Sequence, residues 1–166
     1  MSVLNVLRYP DPLLKKVCKE VTKFDNELQT FVANFTETMY HYKFCVGLAS
    51  SQVGRLDRLI TIDVSKAKRP QPGHGLLVLI NPELIHTSDF KIVREGCLSI
   101  PDFTANVKRA MKIKLRYQDT NGESKELEAE NFEAHAIQHE MDHLDGILFL
   151  DKITNPAADL FRRVKH

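Results

Sequence analysis

Gln138-His139-Glu140-Met141-Asp142-His143-Leu144-Asp145-Gly146 is the stretch around which the rest of the chain reads as scaffold. A helix turns once per ~3.6 residues, so residues four apart lie one above the other on one face. His139 and His143 therefore share a face. Glu140 sits ~100° around from His139, where it flanks a metal rather than binds it. His-Glu-x-x-His supplies two imidazoles for a metal and a carboxylate to handle the proton of a water on it. Chance also makes such patterns, and here the flanks add weight. His135 and Phe132 extend the imidazole face, while Ala134, Ile137, Met141 and Leu144 fall opposite. A helix with both faces committed is expected to be buried on both, and Gly146 supplies its stop.

At 166 residues the chain is expected to be one catalytic domain, 1–166, with residues 151–166 as a tail. The net charge of +1 points to neither a nucleic acid nor a membrane partner. No apolar run approaches the ~20 residues of a membrane span, and the N-terminus lacks the basic-then-apolar layout of a signal peptide. Three cysteines, Cys18, Cys45 and Cys97, make no even framework. That favours a reducing cytoplasm in which a thiolate is available as a ligand.

Outward from the motif, the chain opens with a short strand-like segment. Tyr9-Pro10-Asp11-Pro12 then forces a turn and can start a one-turn helix. Leu28, Phe31, Val32, Phe35 and Met39 follow helical spacing from Asp25, a candidate N-cap, to about Tyr42. Cys45 to Gly54 is a run of small residues with a single amide. Leu59 to Val64 and Leu76 to Ile80 read as strands, separated by a polar, mobile loop from Lys66 to Gly75. Asn81-Pro82 is expected to end the second of these strands, with Glu83 to Val93 as further extended chain. Phe103 to Arg109 reads as another strand. Met111, Ile113, Leu115 and Tyr117 alternate with Lys112, Lys114 and Arg116, and Asn121-Gly122 signals a hairpin returning through Lys125 to Ala129. Asn131 is a possible cap for the motif helix, Ile147 to Leu150 can pack back on the core, and Pro156 to Val164 reads as a short terminal helix. The order of elements predicts α+β: mainly antiparallel β-sheet around one buried metal-binding helix.

Two histidines do not complete a catalytic metal site, which keeps three protein ligands and one open position. Cys97 and His135 are the main candidates for the third, with Glu133 and the other cysteines behind them. His135 lies another ~6 Å along the helix axis, so three stacked imidazoles converge poorly on one ion. Cys97 follows a glycine that permits a sharp turn, and a thiolate arriving from another segment closes a tetrahedron better. The geometry favours Cys97 and makes His135 a pocket wall.

Gly47-Leu48-Ala49-Ser50-Ser51-Gln52, Glu95-Gly96-Cys97-Leu98-Ser99 and Gln138-His139-Glu140-Met141-Asp142-His143-Leu144 together resemble the three signature motifs of bacterial peptide deformylase, in order and spacing. The resemblance runs from the N-terminus to about Leu150. It departs from the family pattern at Cys45, where glycine is usual, and at Ser50-Ser51. It implies Cys97, His139 and His143 as ligands of one divalent metal, usually Fe²⁺, with Zn²⁺, Ni²⁺ or Co²⁺ able to replace it. Glu140 would carry the proton, and the Gln52 side chain with the Leu98 backbone N–H would stabilise the oxyanion. Gly47, Val46, Val93, Glu95, Phe132, His135 and Ala136 would bind substrate, the formyl-methionyl end of a nascent chain. The basic tail, with Arg162, Arg163 and Lys165, would either complement a helix C-terminus or help dock the enzyme on the ribosome. The competing readings are a metallo-endopeptidase, which also uses His-Glu-x-x-His, and a non-catalytic metal-binding protein. A cysteine ligand and the short chain argue against the first. Glu140 and Gln52, neither needed merely to hold a metal, argue against the second.

Overall fold

The helical spacing of Leu28, Phe35 and Met39 produces the first helix, α1 (Asn26–His41), in the computed structural model, which describes residues 2–163. Asp25 caps it, its side chain accepting a hydrogen bond from Leu28 N–H at 3.0 Å. The three apolar residues are fully buried against Leu48, Leu59 and Ile80. Ahead of the helix, Pro12–Lys15 form the expected single turn, of 3₁₀ type. The opening segment is extended but joins no sheet among the described residues. Its backbone instead meets the loops of the later site, with Leu7 N–H donating to Gln52 O (2.7 Å) and Tyr9 N–H to Ser99 O (2.8 Å).

The sheet is antiparallel throughout, in the order β1 (Gly47–Ala49), β2 (Leu59–Ile62), β3 (Leu77–Cys97), β4 (Ile100–Gln118), β5 (Ser124–Glu130). Two strands are longer than the sequence pattern suggests. Asn81-Pro82 does not end β3. It forms a bulge, with the register shifting between Ile80 and Glu83. Proline has no N–H for the ladder, and Asn81 takes up a left-handed φ of 51°. The Asn81 amide then bonds Val21 and Gln118 across the gap. Likewise the segments read separately around Arg109 and Met111 are one strand, β4. Its alternation holds: Met111, Ile113 and Leu115 are buried while Lys112 and Arg116 are exposed.

The motif helix, α2 (Asn131–Leu144), begins directly where β5 ends. Asn131 is not its side-chain cap. It makes the change of direction itself, at φ 54°, a conformation asparagine tolerates better than most residues. Both faces are buried, as the sequence requires. Ala134, Ile137 and Leu144 pack on Ile60, Ile62, Leu79, Ile113 and Leu115. Gln138 fastens the helix to β4, its Oε1 accepting from Ala110 N–H (3.0 Å) and its Nε2 donating to Ala110 O (2.7 Å). At the other end Arg58 donates to Leu144 O (3.2 Å) and Asp145 (3.0 Å), a cation at the helix C-terminus. Gly146, at φ 71°, ends the helix. Leu148 and Phe149 pack back on Leu14, Ile100 and Val107.

The tail is not the helix expected from Pro156. One turn, α3 (Pro156–Asp159), gives way to a strand, β6 (Leu160–Arg162), which pairs with Phe103–Ala105 of β4. The arrangement of cations at a helix C-terminus therefore does not form, and Lys165 lies outside the described residues. No helix among the described residues is long and apolar enough to cross a membrane.

Candidate metal centre

A two-residue turn at Leu98-Ser99 joins β3 to β4 and leaves Cys97 at the strand tip, facing α2. There the thiol meets both motif histidines. The ligand atoms of Cys97, His139 and His143 all lie within 4.8 Å of one another, and Cys97 Sγ is 3.4 Å from His143 Nε2. A thiolate and two imidazoles with room for a further ligand form a donor set that can hold a single metal ion. The other candidates for third ligand are engaged elsewhere. His135 Nε2 sits 2.9 Å from Glu95, and Glu133 accepts from His74 N–H at 2.7 Å and contacts its Nδ1 at 2.6 Å. Through His74, Glu133 also anchors the end of the loop read as mobile. Cys45 donates to Gly47 O at 3.3 Å, and burial pushes its thiol up to about 12, so it stays protonated.

His139 is set by a buried ion pair. Glu95 Oε1 lies 2.7 Å from His139 Nδ1. That contact places the ring proton on Nδ1 and leaves Nε2 as the ligand atom. Arg109 in turn grips Glu95 with two bonds, at 2.5 and 2.9 Å, and reaches Asp142 at 2.5 Å. Burial raises the Glu95 pKa, but Arg109, His135 and His139 outweigh it and hold the carboxyl well below the usual range. Glu95 lines the cavity and is held there by Arg109, His135 and His139. Arg109 went unnoticed in the sequence. Burial also pulls the two ligand imidazoles down. For His139, Glu140, Cys97 and Glu95 reverse this and raise it well above the usual value, whereas His143, next to His139, stays well below.

Glu140 lies beside this cluster. It is buried, Oε1 has no hydrogen-bond partner in the protein, and burial pushes its pKa up to about 7 against the pull of His139. A carboxyl poised there can take and return a proton at neutral pH. Gly47 runs directly across it: a Cβ on Gly47 would stand 2.8 Å from Glu140 Oε2 and 2.9 Å from Ile62, so a larger residue would displace the Glu140 carboxylate. Gln52 is oriented by the backbone. Its Oε1 accepts from Ala49 N–H at 2.9 Å, which leaves the amide nitrogen to face Ser99 Oγ (3.0 Å) and Cys97 Sγ (3.5 Å). Ser99, itself buried, completes the chain by donating to Leu7 O at 2.7 Å.

These groups open onto a cavity of about 800 Å³. Val46, Gly47, Gln52, Leu98, Phe132, His135, Ala136, His139 and Glu140 all line it, with Cys97 and Glu95. Val93 does not. It sits two residue pairs beyond Glu95 on the β3–β4 ladder, opposite Val107.

A family profile described as polypeptide deformylase matches residues 3–159. The chain belongs to the polypeptide deformylase family. A peptide deformylase from Thermodesulfovibrio yellowstonii is 42% identical over 163 residues, covering 98% of this chain and 96% of the relative. One from Caldanaerobacter subterraneus is 44% identical over 153 residues, covering 92% and 91%. The crystal structure of the Thermotoga maritima peptide deformylase superposes with a TM-score of 0.83 at 40% identity, over 92% of this chain and 99% of that one. A class I type b peptide deformylase from Acinetobacter baumannii with Met-Ala-Ser bound gives 0.85 at 33% identity, over 91% and 98%. The α+β architecture is that of the peptide deformylase fold.

The ligand assignment has a direct check. Metal analysis of purified protein is expected to find about one divalent ion per chain, greatly reduced in Cys97→Ala and His143→Ala and retained in His135→Ala. Loss of metal in His135→Ala with retention in Cys97→Ala would reverse the assignment.

Proposed function

We infer that the chain hydrolyses the N-formyl group from the formyl-methionyl end of newly made polypeptides. The observation that carries this reading is the convergence of Cys97, His139 and His143, with Cys97 and His139 lining one cavity together with Glu140 and Gln52. A divalent ion held by the three ligands supplies Lewis acidity toward a carbonyl and a water. Membership of the family points to Fe²⁺, and mixed sulfur and nitrogen donors also accept Zn²⁺, Ni²⁺ or Co²⁺. Glu140 takes the proton of the attacking water and returns one to the leaving amine. The Gln52 amide and the Leu98 backbone N–H donate to the oxygen on which charge develops.

Val46, Phe132, His135 and Ala136 form the wall against which the methionine side chain packs, and the backbone at Gly47 pairs with the substrate chain as an added strand. Such a substrate places the work in the cytoplasm, where the three unpaired cysteines also stay reduced. The ribosomal contact suggested for the tail loses the helix it was built on, since residues 160–162 are strand, and forms no part of this reading.

The test separates deformylation from peptide cleavage. Leu98 and Pro101 line the cavity, and in this reading they restrict the space beside the ligands to a carbonyl that carries only hydrogen. Formyl-Met-Ala-Ser is expected to release formate rapidly, acetyl-Met-Ala-Ser to react far more slowly, and unstructured casein to remain uncut. Casein cleavage at a rate comparable to formate release would favour the endopeptidase instead.

A further inference from the structure

The mouth of the same cavity carries charges that the deformylation reading leaves unused. Arg8, Lys43, Arg94 and Arg163 all line it and all are exposed. Among the described residues its acidic lining is Glu95 and Glu140, both buried, and Glu95 is already paired with Arg109. The rim is therefore positive. Two of its cations are placed by the fold, Arg94 through its side chain and Arg163 through its backbone, whose N–H donates to Asp102 O at 2.8 Å. The Arg94 guanidinium stacks 3.5 Å from the Phe161 ring centroid, and its Nε donates to Asn106 at 3.1 Å. Arg163 follows β6, and the pairing of that strand with Phe103–Ala105 carries it across Gly96, where a Cβ would collide with its guanidinium. The terminal strand thus delivers a cation next to the residue preceding Cys97. Cations already held lose less freedom on meeting an anion, and a cleft focuses their field.

Resting on the proposed function, we propose that this rim selects formylated peptides with a carboxylate in the residues after methionine, over peptides with a cation there. The cations line the cavity that holds Glu140 and Gln52, so the anion they meet is part of the bound peptide rather than a nucleic acid lying outside.

Steady-state kinetics on the metal-loaded full chain test this with formyl-Met-Ala-Glu amide, formyl-Met-Ala-Lys amide and formyl-Met-Ala-Ser as amide and as free acid. The Glu peptide is expected to exceed the Lys peptide about three- to tenfold in kcat/KM at low salt, through KM, with the ratio shrinking at high salt. Preference for the free acid over the Ser amide without a Glu-over-Lys preference would assign the site to a chain terminus and overturn the proposal. In Arg94→Gln/Arg163→Gln the Glu-to-Lys ratio should fall toward one. A ratio near one in the unaltered protein, or one unchanged in the double variant, would also overturn it. So would inhibition by polyuridylate in a protein that does not discriminate among the peptides. Calorimetry with Met-Ala-Glu amide and Met-Ala-Lys amide makes the same comparison without turnover. Failure of the function reading, seen as no formate from any peptide, is thereby distinguished from failure of the charge preference.

Discussion

Glu140→Ala is expected to keep its metal and its fold while losing about 10²–10⁴ in turnover, the range for a positioned proton carrier. Glu140 is not among the converging ligand atoms, so removing it leaves the donor set whole. Its removal should also cost little stability. Oε1 is buried without a partner, and burial already disfavours the charged form, so no satisfied interaction is broken there. Glu140→Gln sharpens the test, because it keeps the shape against Gly47 but cannot carry a proton. Formate release and metal content measured on the same preparations decide the matter. Substantial activity in either variant would remove Glu140 from the proton path, and loss of metal would make it a ligand.

The parts of the structure that the sequence foretold are those governed by local periodicity. Leu28 to Met39, the alternation of Met111 to Leu115 and the Asn121-Gly122 turn each carry their own signal within a few residues. What stayed hidden depends on distant partners. Pro82 reads locally as a terminator, yet β3 continues, because Asn81 finds Val21 and Gln118 to bridge the bulge. Pro156 does start a helix, but Leu160 to Arg162 then pair with Phe103 to Ala105, over fifty residues back, and three residues carry no periodic mark of such pairing.

The site divides in the same way. Helix spacing pairs His139 with His143, and the need for a ligand from a second segment favours Cys97. The support beneath them was harder to see. Glu95 sits in a motif, but its partner Arg109 lies fourteen residues away across the β3–β4 hairpin. A signal for Arg109 did exist. Ala105, Val107, Met111, Ile113 and Leu115 mark the inward phase of β4, and Arg109 falls in that phase. A charge in the buried register of a strand calls for a buried partner.

That partnership sets the second large expectation. Arg109→Met should cost about 3–5 kcal/mol, because it leaves Glu95 buried without its main counter-charge. For a chain of this length this corresponds to a fall in Tm of roughly 6–20 °C. The Arg109 side chain is 3% exposed and that of Glu95 is 1% exposed, so water can do little to compensate. A second effect should accompany the first. Glu95 orients His139 through Nδ1, and loss of a partner that fixes a ligand histidine typically weakens metal binding by about 10–100-fold. Adding Glu95→Gln to Arg109→Met separates the two effects. It removes the uncompensated charge and should recover part of the stability, while a neutral amide holds His139 less firmly and leaves the metal weakly bound. Thermal denaturation and metal competition assays on the three variants provide both readouts. An Arg109→Met protein as stable as the parent, with undiminished metal affinity, would mean that the ion pair does not support the centre.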